Sequence, residues 1–452
     1  MSREEILRRE GYGPTSPVVG ERGAYTRRRI TDESLRLFER HGFHGTSVDS
    51  IAKAVGISRP ALYQYFESKL QIFLELLDEC GSALDRVVRR IGPLGPTRVG
   101  FDDLHWWLGE WAYIYDKYAT VHVQWANIDT PESPIRPVVE RLVHSFHERI
   151  ADRLASSGLQ GLDPLDAAIA LTGTVHRYHY FLHMGFAPPL SRDDLLDGLA
   201  VCMQLMLFPE TPADALAAIA PGGRPRPTDD TAFPMFRVRE LPAAEPGDGR
   251  QDREIGQRGR ATRRRIVETG ARLFTERGYH ETSVDDLLAH LGLSRGAFYK
   301  YFPEKINLLL ELADACAAAV NPLTGRLALI EPGQEARPQL RDWLLDFLPV
   351  YESYLGVIRA WLQGAWREPR LTATAASISA GLLRGSTPVL QGVDRRYPLD
   401  TDIAATVLGA MLARLPEVLR RPGQDDLGRR AELMAALIDR AMLSPGGCPA
   451  PG

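Results

Sequence analysis

Two short stretches of the chain carry side chains suited to holding an anion or meeting a polar edge. Ser58-Arg59 is followed by Tyr63-Gln64-Tyr65-Phe66 and Lys69. Ser294-Arg295 is followed by Tyr299-Lys300-Tyr301-Phe302 and Lys305. Such residues offer positive charge and hydrogen-bond donors, the groups that meet phosphate oxygens and base edges. A third concentration is aromatic and imidazole-rich. It holds Trp106, Trp107, Trp111, Tyr113, Tyr115, Tyr118, His122 and Trp125, and later the run HRYHYFLHMGF with His176, His179 and His183. His179 and His183 are spaced i, i+4, which can bind zinc from one helix face. Core or interface packing, an effector-pocket wall, a metal site and a catalytic site are all compatible with that run.

The elements that position the first two sets are written around them. Ile30, Leu35, Leu37 and Phe38 form the apolar stripe of a helix that Gly42 ends. Thr46, with Asp49 three residues on, predicts the start of a second helix, and Gly56 stops it. Ser58 caps a third helix over 59–66, with Pro60 tolerated in its first turn. Thr282, Asp285, Gly292, Ser294, Phe298 and Phe302 repeat the plan. Helix, short glycine turn, helix is the geometry of DNA-binding helix-turn-helix units.

The two segments are copies. From Thr26 and from Thr262 the chain reads alike at a constant offset of 236 residues, with about half of the positions identical. The register persists: Trp107 maps onto Trp343, Tyr115 onto Tyr351, Trp125 onto Trp361, Glu132 onto Glu368 and Gly173 onto Gly409. Each copy holds about 200 residues, an ordinary domain length. The remainder of each copy reads helical, for example over 102–118, 135–156, 164–184 and 192–207, so the fold is expected to be all-α. Expected divisions are a frayed start over 1–19, a first head over 24–84 with its helix-turn-helix at 47–66, and a helical domain over 85–210. A Pro/Gly-rich linker over 211–258 follows. The second head falls at 260–320 with its motif at 283–302, the second helical domain at 321–443, and a frayed tail at 444–452.

The pattern Gly-[Phe/Tyr]-x-x-Thr-Ser-Val-Asp, then Ser-Arg-x-x-x-Tyr-x-Tyr-Phe-x-x-Lys, resembles the TetR family of transcriptional regulators, in both copies and over about 60 residues each. The resemblance implies roles. Thr46 and Thr282 would begin the second helix and hold a phosphate. Arg59 and Arg295, beside Ser58 and Ser294, would contact guanine or phosphate, although the serines serve equally well as caps. Tyr63 and Tyr299 match a DNA-contacting tyrosine. Gln64 and Lys300 occupy a base-reading position, Gln suiting adenine and Lys suiting guanine. Tyr65 and Tyr301 match a phosphate-contacting position, or they pack. Lys69 and Lys305 match a basic residue opening the fourth helix. The Arg27–Arg29 and Arg263–Arg265 runs would line the DNA backbone. The arms at 21–23 and 257–260 would add phosphate attraction or reach a minor groove.

The family is ordinarily dimeric through its last two helices. Here an intrachain pseudo-dimer is expected, pairing 164–184 and 192–207 with 402–420 and 425–442 as a four-helix bundle. A dimer of whole chains is the rival. The partners expected are a double-stranded DNA operator with two similar, non-identical half-sites and a small-molecule effector. Trp107, Trp111, Tyr115, Trp125, His176, His179 and His183 are the effector-pocket candidates.

No Walker loop, GxSxG, HExxH or dinucleotide fingerprint occurs, so no enzyme, cofactor or metal is expected. A metal-dependent hydrolase built on the histidines is the different-class alternative, and a regulator that binds ligand or protein but not DNA is a third. Four cysteines are too few for a disulfide framework. No apolar leader or long apolar run is evident, so a cytoplasmic protein without a membrane partner is expected. The formal charge of −4 hides a pattern. Basic residues outnumber acidic ones by nine to six over 20–70 and by ten to six over 256–306, while the rest is acidic. Two basic heads on acidic bodies would steer the heads toward phosphate.

Overall fold

The computed structural model describes residues 21–128, 136–217, 256–362, 369–395, 397–420 and 426–444. The ordered elements among them are helices, and no strand occurs among the described residues. The first copy runs α1 (Glu21–Gly45), α2 (Val48–Val55), α3 (Arg59–Leu62), α4 (Lys69–Arg89), α5 (Arg98–Lys117), α6 (Ala119–Ile128), α7 (Arg136–Ala155), α8 (Pro164–His183) and α9 (Arg192–Leu207), then a short α10 (Ala213–Ala217). The second runs α11 (Gln257–Arg277), α12 (Val284–Leu291), α13 (Arg295–Tyr299), α14 (Lys305–Leu327), α15 (Ala336–Ser353), α16 (Leu355–Leu362), α17 (Pro369–Gln391), α18 (Thr401–Val418) and α19 (Leu427–Ile438), closing in a π turn (Asp439–Leu443). Helix for helix, α11–α19 repeat α1–α9. The expected termini at 1–19 and, beyond Ser444, at 444–452, most of the linker, Glu132 and Glu368, and the side chain of Trp125 lie outside the described residues.

Local chemistry explains the head helices and corrects three boundaries. α2 is capped by Ser47, not Thr46. Ser50 N donates to Ser47 Oγ at 3.0 Å, and Ser47 N donates back to Ser50 Oγ at 3.1 Å. In the second head Ser283 and Asp286 make the equivalent box. The recognition helix is shorter than 59–66: regular α structure ends at Leu62, and single turns carry the chain on to Phe66. The expected arms at 21–23 and 257–260 are instead the first turns of α1 and α11. Gly42, Gly56, Gly278 and Gly292 have φ between 64° and 89°, a region that only glycine enters without strain. Inside the first head, Ile30, Phe38, Ile51, Leu62, Phe66 and Phe73 are at most 1% exposed. Ile266, Phe274, Leu287, Phe298 and Phe302 repeat that core in the second.

The chain divides into two compact units that do not follow the repeat. One joins the segment up to Arg86 with Ile114–Leu142. The other joins Val87–Tyr113 with everything from Val143 onward. Within the second unit, helices of both copies pack together. α8 lies along α18, and α9 packs on α18, α19 and the π turn. A Cβ on Gly198 would come within 2.6 Å of Ile403, and one on Gly173 within 3.3 Å of Val418. Gly409, the counterpart of Gly173, faces Phe181 in turn. Arg429 and the buried Asp166 join the copies at 2.8 Å, and Arg440 donates to the Gln160 carbonyl at 2.9 Å.

α14 is long and apolar enough by composition to cross a membrane, but it packs on α11, α15 and α17 as an inner helix does. Cys80, Cys202 and Cys316 are buried free thiols, pushed up to about 12 by burial.

Candidate nucleic-acid interface and ligand cavity

Each head presents a small exposed constellation at the start of its recognition turn. Ser58 Oγ accepts from Ala61 N at 3.3 Å, and Ser294 Oγ from Ala297 N at 3.3 Å, so both serines act as caps. Arg59 Nη1 reaches Asp49 Oδ2 at 3.0 Å, and Arg59 Nη2 donates to the Tyr63 hydroxyl at 3.3 Å. Arg295 Nε donates to Asp285 Oδ1 at 2.9 Å. Tyr63 and Tyr299 are 41% and 50% exposed, unusual for large aromatics, and Gln64 and Lys300 are exposed beside them. Arginine, tyrosine and a variable polar residue thus stand together on one outer surface in both heads.

Other predicted contact residues are drawn inward. Thr46 and Thr282 are buried, and their hydroxyls donate to the carbonyls of Gly42 and Gly278 at 2.8 Å. They lock the turn and do not present a hydroxyl for a phosphate. Lys69 Nζ donates to the carbonyls of Phe43 at 2.6 Å and Thr46 at 2.7 Å, and lies 4.4 Å over the Phe43 ring. Lys305 repeats this with Tyr279 and Thr282, both at 2.8 Å. Desolvation lowers both ammonium pKa values. Tyr65 and Tyr301 are half-buried, and Tyr301 packs on the second head's core.

The arginine runs are divided in the same way. Arg27 pairs with Glu75, donates to the Tyr65 carbonyl at 2.6 Å and lies 4.0 Å over Phe66. Arg263 pairs with Glu311 at 2.7 Å and lies over Phe302. Arg29 and Arg265 cap α2 and α12 through the carbonyls of Val55 and Leu291. Among the described residues of these runs, only the middle members, Arg28 and Arg264, are exposed without such a tertiary tie. Sequence reading missed this, because a cation paired across the fold and a solvated cation look alike in a run of arginines.

Several effector-pocket candidates of the first copy are buried among themselves. Trp107 and Trp111 are at most 5% exposed, with ring centroids 5.2 Å apart. Tyr115 is buried and stacks on His122 at 4.4 Å. His179 is buried, His176 half-buried and His183 exposed, so the i, i+4 pair is split between interior and solvent. Burial pulls His179 down to about 4. Among the described residues no three His, Cys, Asp or Glu gather as a metal would need.

A cavity of about 190 Å³ lies among the helices of the second copy. α14, α15, α16, α17 and α18 form most of its wall, and Tyr180, Phe181, Met184 and Phe186 of the first copy close it. The repeat offset carries Trp111, Tyr115, Trp125 and His176 onto Phe347, Tyr351, Trp361 and Leu412, all of which line it. The second-copy counterparts of four candidates thus stand in a cavity wall.

Comparison with known proteins places the heads. The family model described as bacterial regulatory proteins, tetR family, matches residues 30–76 and again 266–312. The biofilm operon icaADBC HTH-type negative transcriptional regulator IcaR of Staphylococcus aureus is 31% identical over 105 residues, 23% of this chain and 54% of IcaR. MftR of Mycobacterium tuberculosis, named for regulation of mycofactocin biosynthesis, is 39% identical over 82 residues, 17% of this chain and 41% of MftR. The chain thus spans about half the length of the curated relatives it matches. Among solved structures, a TetR/AcrR-family regulator from Thermobifida fusca aligns at 20% identity and a TM-score of 0.30, covering 39% of this chain and 96% of that one. The chain thus carries the N-terminal unit of the tetR family of bacterial regulatory proteins twice, over residues 30–76 and 266–312.

Proposed function

We propose that the chain is a sequence-specific, ligand-responsive DNA-binding transcriptional regulator, acting as a repressor. Its two heads read two similar half-sites of one operator as an intrachain pseudo-dimer. The observation that carries this is the duplicated surface of Arg59, Tyr63 and Gln64, matched by Arg295, Tyr299 and Lys300, on two basic heads. One such unit meets too few base pairs for useful specificity, and a linked pair solves that. The packing of α8 and α9 on α18 and α19, with Gly173 and Gly409 exchanging roles, supports the pseudo-dimer, because an isologous interface makes each contact twice. The negative regulation in IcaR's name supports repression. The cavity supports an effector whose binding shifts the balance between two head arrangements. DNA as partner supports a cytoplasmic location.

The test is selection of bound sequences from a random DNA pool, followed by light scattering. Bipartite sites, and a particle near the 50.2 kDa of one chain, are the expected result. A particle about twice that mass without DNA would replace the intrachain model by a dimer of whole chains. No selected sequence would overturn the DNA-binding reading.

A further inference from the structure

Arg177 stands in the second half of α8 with 5% of its surface exposed, and its Nε is buried with no hydrogen-bond partner among the described residues. Its guanidinium carbon lies 5.2 Å from the Tyr180 ring centroid. The groups within electrostatic reach are Arg414 and Glu417 of α18, Tyr351 of α15 and Tyr180 of its own helix. Glu417 is already engaged by Arg359 Nη2 at 2.7 Å and Arg414 Nη1 at 3.5 Å. One carboxylate therefore serves three guanidiniums, and Arg177 shares it only at a distance. A buried cation without a close counter-ion is costly, and a guanidinium cannot escape by losing its proton.

Arg177 stands behind the cavity wall, not in it, and reaches it through its neighbours. Tyr180 and Tyr351, the two phenols beside Arg177, both line it. So do Phe181, one turn along α8, and Ala413, next to Arg414. The wall also includes the apolar Phe347, Ile378 and Leu412.

We propose that the cavity binds one apolar organic acid per chain, its carboxylate held by Arg177 at the Tyr180–Tyr351 end and its hydrocarbon or aromatic body lying along Phe347, Ile378 and Leu412. The proposal rests on reading the cavity as the effector site. The second copy supplies the apolar wall, and the first copy supplies the cation. The mirror site lacks that cation, because the position equivalent to Arg177 is Ala413. One acid per chain follows.

Calorimetric titration of the full chain with two matched pairs, octanoate with octanol and naphthoate with naphthol, tests this. The acids are expected to bind at one per chain and at least about tenfold more tightly than their neutral partners. Arg177→Met loses that preference and leaves the alcohols unchanged, and Arg177→Lys keeps part of it. Without ligand Arg177→Met melts higher than the parent, since an uncompensated charge is gone. Leu412→Trp, which fills the cavity, abolishes binding of all four probes. Equal affinity for acid and alcohol, two acids per chain, or unchanged acid binding in Arg177→Met would overturn the proposal, as would no binding of any probe. Should Arg177→Met not fold, the acid preference of the parent chain decides. DNA binding measured on the same preparation stands apart, so a failed acid site leaves the regulator reading intact, and lost DNA binding leaves the acid site intact.

Discussion

Arg59 Nη1 lies 3.0 Å from Asp49 Oδ2, and its counterpart Arg295 Nε lies 2.9 Å from Asp285 Oδ1. In both heads the arginine that opens the recognition turn is held by an aspartate of the preceding helix. All four side chains are more than half exposed, so each pair is weak and readily exchanged for a phosphate or a guanine edge. Asp49→Asn with Asp285→Asn therefore tightens DNA binding several-fold at low salt, and the gain shrinks as salt rises. Arg59→Ala or Arg295→Ala weakens binding by about tenfold. Fluorescence anisotropy at two salt concentrations reads both effects. Weaker binding by the asparagine variant would mean that the aspartates orient the arginines productively.

Lys69 and Lys305 each bridge two carbonyls at the turn between the first two head helices. Replacing either by Met leaves two carbonyls short of a donor and costs that head about 1–3 kcal/mol. Urea unfolding followed by head-specific hydrogen exchange is the measurement. Reduced DNA affinity with undiminished stability would instead make these lysines DNA contacts.

Gln64 and Lys300 differ at equivalent, exposed positions. The exchange Gln64→Lys with Lys300→Gln should swap the half-site preferences of the two heads while leaving total affinity within a few-fold. Selection of bound sequences with the parent and the swapped chain checks this. An unchanged consensus would show that the difference in reading lies elsewhere, with Pro60 against Gly296 as the next candidates.

Burial pulls His147 down to about 4, aided by Arg414 and His144, and burial alone does the same to His179. The unfolded chain protonates these rings near 6.5. Between the two values the unfolded state binds more protons, so stability is full above about pH 6.5 and falls as pH drops toward 4. Glu417 adds nothing in that window. Burial pushes its pKa up, but Arg414 and Arg359 outweigh this and hold it at about 2, so its contribution is lost only below about pH 4.5. Urea midpoints should decline from about pH 7 to 4.5, by at most about 1.4 kcal/mol per pH unit for each histidine. His179→Phe should flatten the decline, and an unchanged slope would remove His179 from the explanation.

Much of this was legible because glycines, caps and apolar spacing are local. Gly56, Ser58, Leu62 and Phe66 fix the head, and the offset of 236 residues makes each feature visible twice. What depended on long-range pairing was not legible. Arg27 finds Glu75 and Lys69 finds the Phe43 carbonyl only after folding, so cations that looked free are spent on the head itself. The second-copy cavity was not legible either. Aromatic content marks where a wall stands but not whether its rings meet, and Trp107 and Trp111 do meet.

The second head is fastened to its body by a polar link that the first copy does not encode. Arg359 of α16 donates to Glu417 of α18 at 2.7 Å and to the Thr275 carbonyl of α11 at 3.1 Å. Gly356 N donates to Thr275 Oγ1 at 3.1 Å, and a Cβ at Gly356 would come within 2.7 Å of the α11 backbone. Val123, Thr120 and Glu39 stand at the positions equivalent to Arg359, Gly356 and Thr275, so the first copy lacks both the guanidinium of the link and the glycine of the close approach. α16 also lines the cavity through Ile358 and Trp361, so it joins the cavity wall to α11 of the head, alongside α14, which runs from Lys305 in the head to Cys316 and Val320 in the wall. Gly356→Ala should push α16 off α11 at a cost of about 1–3 kcal/mol, because the obstructing atoms are backbone and cannot rotate away. Hydrogen exchange over 266–278 should accelerate while the same measurement over 30–42 stays unchanged. Arg359→Gln should leave the cavity intact but loosen the second head alone, lowering affinity for the half-site proposed for Lys300 and sparing the one proposed for Gln64. Equal loss at both half-sites would show that the two heads are coupled through the packed α8, α9, α18 and α19, and not through this link.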